Sequence, residues 1–166
     1  MAVKDRLLRK ATAPRNNHHG AILSCSADAI EKFLDVEEEI DLPEDVAVES
    51  GETFEQDYWE CGGTTVSMRP DMLLYKKAED GTRDVVGAVK FSFSKTNPVG
   101  EEGCDYLSTA LWRHLVDNCG HNADRDCCFA IDIPSGVVAT PGKSYKRKID
   151  NIRAACEEIA DRWDKV

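Results

Sequence analysis

Nowhere in the 166 residues is there an uninterrupted apolar run approaching the roughly 18 residues that a membrane-spanning helix needs. Nor does an apolar stretch follow the charged N-terminus Met1–Lys10, as a secretory leader would require. These two absences predict a cytoplasmic protein that does not enter membranes. The seven cysteines form no C-x-x-C pair and have no histidine at zinc-finger spacing, so they predict reduced thiols and not a metal cluster or a disulfide framework. Bases are scarce in one region. From Asp28 to Glu60 there are fourteen acids against the single Lys32, so this segment carries −13 and leaves +3 for the remainder. The net charge of −10 therefore hides basic residues at the N-terminus and in Lys143, Lys146, Arg147 and Lys148, a local anion-binding surface for nucleic acid.

The hydrophobic content, 42%, suffices for a single core. Residues 1–22, with Pro14 and the polar run Asn16–Gly20, read as a partly ordered lead-in, and 23–166 as one domain. Ala29, Ile30, Phe33 and Leu34 recur at helical spacing behind a cap at Ser26 or Asp28, and Pro43 stops that helix. An acidic loop follows to Gly51. Thr53–Cys61, Thr64–Tyr75 and Asp84–Ser94 then read as three strands in a meander, with Gly62-Gly63 and Asp80-Gly81 at the turns. Cys104, Leu107, Leu111 and Leu115 predict a helix over Glu101–Asn118. Cys127–Ile133 is short and apolar enough for a buried strand, and Ile149, Ile152, Cys156, Ile159 and Trp163 mark a last helix over Tyr145–Trp163. The expected fold class is α/β: a mixed central sheet flanked by helices in the order α-β-β-β-α-β-α.

The strand Asp84–Ser94 raises a chemical question. Strict alternation sets Val85, Gly87, Val89 and Phe91 on one face and Val86, Ala88 and Lys90 on the other. Lys90 thus stands mid-strand on a face that is otherwise small or polar, where an ammonium needs water, a carboxylate or a bound anion. Asp71 begins the preceding strand, and the two strand parities send both side chains into one cleft. A carboxylate to hold a metal beside a cation to orient water or stabilise phosphorane charge is a constellation suited to phosphodiester hydrolysis.

Pro70-Asp71, a short hairpin and then Gly87-Ala88-Val89-Lys90 resemble the PD-(D/E)XK, restriction-endonuclease-like, nuclease superfamily. The resemblance covers most of the chain, from about Ala27 to Ile133, and implies an α-β-β-β-α-β core and a Mg²⁺- or Mn²⁺-dependent nuclease acting on DNA. Asp71 matches the first metal-binding acid and Lys90 the catalytic lysine. Ala88 stands where the second acid belongs, so that ligand has to come from another element: Glu31, Glu55, Asp57 or Glu60, with Glu31 and Glu60 the metal-binding candidates beside Asp71. The alternative is a catalytically inactive domain that binds a protein or nucleic-acid partner, a second copy included, through the acidic segment 28–60.

Overall fold

The computed structural model describes residues 3–14, 16–77, 82–120 and 122–163. A five-stranded mixed sheet forms its centre, with strand order β1 (Val46–Ser50), β4 (Met72–Lys77), β5 (Arg83–Ser92), β6 (Cys128–Asp132) and β7 (Val137–Ala139), and helices on both faces.

Helix α1 (Val3–Ala11) lies against α2 (Asn17–Val36). The cap of α2 is Asn16, ahead of the expected Ser26 or Asp28: its backbone is extended and its side chain accepts from the His19 amide at 2.8 Å. Residues 3–11 and 17–22 are therefore helical, and α2 continues through the expected boundary at residue 23. The acidic loop also has structure. Val46–Ser50 forms β1, antiparallel to β4 (Met72–Lys77), with Glu49 pairing with Arg83 and Asp45 with Lys76. Glu49, the one acid within the strand, and Asp45 just before it both reach bases on other strands of the sheet, so the strand forms within an acid-rich stretch.

Tyr58–Cys61 (β2) and Thr64–Ser67 (β3) pair only with each other, in a separate hairpin. Gly62 and Gly63 turn it with φ of 56° and 77°, values that favour glycine, while Trp59 and Cys61 face inward. The stretch Thr64–Tyr75, expected to be interrupted at Pro70, divides there into two strands, since Pro70 has no N–H for a ladder. The neck of this insertion is tight. Gly51 N donates to Asp71 O at 2.9 Å, and a Cβ on Gly51 would come within 2.1 Å of the Pro70 carbonyl oxygen.

β4 pairs antiparallel with β5 (Arg83–Ser92), but the register shifts: Leu74 faces Gly87 and Tyr75 faces Val85, leaving Val86 as an extra residue. This bulge overturns strict alternation. Val85 packs with the cluster of Leu73, Ala88, Leu111 and Leu115, while Val86 joins Leu74, Val89, Phe91 and Ile131 on the opposite side. Helix α3 (Gly100–Cys119) then crosses over to β6 (Cys128–Asp132), which runs parallel to β5. An unexpected edge strand, β7 (Val137–Ala139), follows antiparallel to β6, and α4 spans Tyr145–Trp163 as its periodicity predicts.

Two cores result. Helix α3, the hairpin and Cys156 of α4 cover one face; α2, through Phe33 and Val36, covers the other. The end of the α4 stripe does not pack, since Ile159 and Trp163 are exposed. Among the described residues, no helix is long and apolar enough to cross a membrane.

Candidate functional site

The structure brings Asp71 and Lys90 together. One step beyond the Met72–Val89 pair, Asp71 stands opposite Lys90, anchored by its own N–H to Val89 O at 2.9 Å. Lys90 Nζ lies 3.1 Å from Asp71 Oδ2, which also accepts from the Phe91 amide at 2.8 Å. Both side chains are partly open to solvent, 29% for Lys90 and 38% for Asp71. The cation in the middle of the strand is thus matched by a carboxylate on the neighbouring strand. Both described contacts fall on Oδ2, and Asp71 Oδ1 takes none of the described hydrogen bonds.

Ala88 is fully buried opposite Leu73 and packs in the α3-side core. The strand position where the motif would carry its second acid is therefore filled by hydrophobic packing. Two of the proposed replacements are engaged elsewhere. Glu31, on α2, pairs with Lys4, and Glu60 accepts from Thr65 Oγ1 at 2.9 Å across the hairpin. Asp57 lies 3.9 Å from Arg69 Nε, and Glu55 is exposed. Among the described residues, no group of three or more His, Cys, Asp and Glu side chains could hold a metal ion.

Asp132, at the end of β6, was not singled out from the sequence. It is fully buried, and its Oδ2 accepts from Gly100 N at 3.0 Å and Ser135 Oγ at 2.9 Å, so it ties the start of α3 to the sheet. Among the described residues, its Oδ1 has no hydrogen-bond partner. The available signal was the lone acid in an otherwise apolar run, Cys127–Ile133.

The basic cluster is smaller than expected. Lys148 is buried, 2.7 Å from Asp105 Oδ2 and 2.6 Å from Ser144 Oγ, so it braces α4 against α3 and does not face a nucleic acid. Its four-residue spacing from Ser144 turns it inward on the first turn of the helix. Lys143, Lys146 and Arg147 remain exposed. His114, given no role from the sequence, is buried, with Nε2 2.7 Å from the Gln56 carbonyl and Nδ1 3.0 Å from the Asn118 amide nitrogen. Burial pushes its pKa below the usual 6.5, against a smaller opposing effect of the Gln56 contact.

Comparisons with protein-family models, with curated proteins and with solved structures find no match.

Proposed function

We propose that this chain is a nuclease-like domain of the PD-(D/E)XK type that hydrolyses phosphodiester bonds, with DNA as substrate and Asp71 and Lys90 at the reaction centre. The observation that carries the reading is the 3.1 Å Lys90–Asp71 contact on adjacent antiparallel strands, at a partly open end of the sheet. The path of the chain supports it. Taken without the β2–β3 hairpin, the elements α2, β1, β4, β5, α3 and β6 follow the α-β-β-β-α-β order that the resemblance implies.

Asp71 is the residue that would hold a divalent ion, through the oxygen not engaged by Lys90. Mg²⁺ commonly uses one or two carboxylates together with substrate phosphates and water, so a single acid fits an ion that arrives with the substrate better than a resident one. When bound, such an ion would supply Lewis-acid charge at the phosphoryl group. Lys90 would lie against the non-bridging oxygens and offset the negative charge that develops as water adds to phosphorus. The Phe91 amide keeps Asp71 oriented throughout.

The test is nicking of supercoiled plasmid in Mg²⁺ or Mn²⁺ by the parent, Asp71→Asn and Lys90→Met. Each substitution should reduce cleavage by about 10²-fold or more. Undiminished cleavage in either variant would overturn the assignment.

A second reading, an inactive binding domain on the same fold, is favoured by the burial of Ala88 and by the absence of a second carboxylate in contact with Asp71 among the described hydrogen bonds and ion pairs. Within the acidic segment Asp28, Glu31, Asp45 and Glu49 pair with bases, while Glu37–Glu39 form an exposed turn. DNA binding without cleavage in either metal would select this reading.

A further inference from the structure

A groove of about 830 Å³ runs between α2 and the end of the sheet, on the face opposite the Asp71–Lys90 pair. Its walls are apolar: Ile22 and Phe33 come from α2, Phe91 from β5, and Phe93 from the segment that follows. Phe33 and Phe91 meet edge to face at 5.7 Å. The groove is not filled from within, because Ile22 remains 49% and Phe93 61% exposed. A volume of this size lies in the range of small-molecule sites, about 300–1,000 Å³, which combine apolar walls with a few polar groups that fix orientation.

Two cations line the rim, and they differ. Lys95 is matched by Asp28 at 3.2 Å. Lys32 donates to the carbonyl of Pro134 at 2.6 Å, and among the described residues no carboxylate forms an ion pair with it. An ammonium has three donors, so Lys32 keeps capacity for an anion beside the apolar walls. This charge complementarity selects among occupants. A positively charged head would meet Lys32 as a like charge, and a bilayer surface would not enter a concave groove.

We propose that the groove binds a monomeric long-chain carboxylate, with its hydrocarbon between Ile22, Phe33, Phe91 and Phe93 and its carboxylate on Lys32. This site is independent of the Asp71–Lys90 reading, and its occupancy is measured without reference to cleavage. Calorimetric titration of the full chain with octanoate, decanoate and dodecanoate, below micelle-forming concentrations, tests it. Affinity should rise about fourfold per added methylene until the groove is filled. Decanoate should bind about tenfold more tightly than decyltrimethylammonium, the value of one charge-assisted hydrogen bond. Lys32→Met should remove that preference while keeping the dependence on chain length, and Ile22→Asp should weaken every carboxylate. Ile22 and Lys32 are both exposed enough for substitution without disturbing the core. Equal affinity for the two heads, no dependence on chain length, no saturable binding, or a dimer that closes the groove would each overturn the proposal.

Discussion

Asp71 and Lys90 face each other at 3.1 Å across the β4–β5 pair, and the same carboxylate oxygen takes the Phe91 amide at 2.8 Å. An ion pair this open to water contributes about 1 kcal/mol or less to stability. Lys90→Met should therefore shift the urea midpoint little while cleavage falls. A large loss of stability would mean that the pair supports the fold and would remove the functional reason for Lys90.

Ala88→Glu puts a carboxylate into the core formed by Leu73, Leu111 and Leu115. Burial of an unpaired charge, together with overpacking, should cost about 3 kcal/mol or more, read from urea denaturation. The substitution that would complete the nuclease motif on paper should thus unfold the domain before it improves metal binding. A variant as stable as the parent would show that position 88 reaches solvent.

Lys148 is the buried partner of an ion pair whose carboxylate, on Asp105, is 32% exposed, so water partly solvates the charge left behind. Lys148→Met should destabilise by about 1–2 kcal/mol, and adding Asp105→Leu should recover part of that loss. Neutralising Lys143 and Lys146 should leave stability unchanged and, if DNA is bound there, flatten the salt dependence of binding by roughly two units. Unfolding curves and a salt titration separate these outcomes.

His114 is neutral in its buried setting, with its pKa held below 6.5. The unfolded chain takes up the proton first as pH falls, so the stability contribution is complete above about pH 6.5 and is lost as pH drops through the folded value. Urea midpoints at pH 7.5 and 5.5 should fall less in His114→Gln than in the parent. An equal fall in both would assign the acid sensitivity to other groups.

Thiol reactivity should follow burial. Cys25 is exposed, whereas burial pushes Cys61 and Cys104 up to about 11 and drives Cys128 higher still. A thiol reagent at neutral pH should show a fast phase that Cys25→Ser eliminates. Cys61, Cys104, Cys127, Cys128 and Cys156 should react only in denaturant.

Periodicity made the long elements legible. The α4 boundaries are those predicted, and α3 is longer by one residue at each end, because several apolar residues per helix outvote any single exception. The sheet was harder to read. β1 was hidden by the acids in and around it, Glu49 and Asp45, whose bases Arg83 and Lys76 lie far along the chain, and the β5 bulge at Val86 follows from pairing with β4, which strand parity alone cannot reveal. The Asp71–Lys90 pair survived because both residues lie beyond that bulge, where parity still holds. Lys148 misled for the opposite reason: as one of several clustered bases it looked solvated until α3 supplied Asp105.

The neck beneath the β2–β3 hairpin places a constraint on the candidate site from a residue with no side chain. Any Cβ on Gly51 must displace the Pro70 carbonyl, and with it the start of β4, where Asp71 is aimed. In a mutagenesis screen scored for cleavage, Gly51 should therefore behave as if it were part of the reaction centre, intolerant even of alanine. In a screen scored only for retention of the fold, the same substitutions should rank lower in severity than Ala88→Glu. The gap between the two rankings would measure how closely the backbone, and not chemistry alone, governs the placement of that carboxylate.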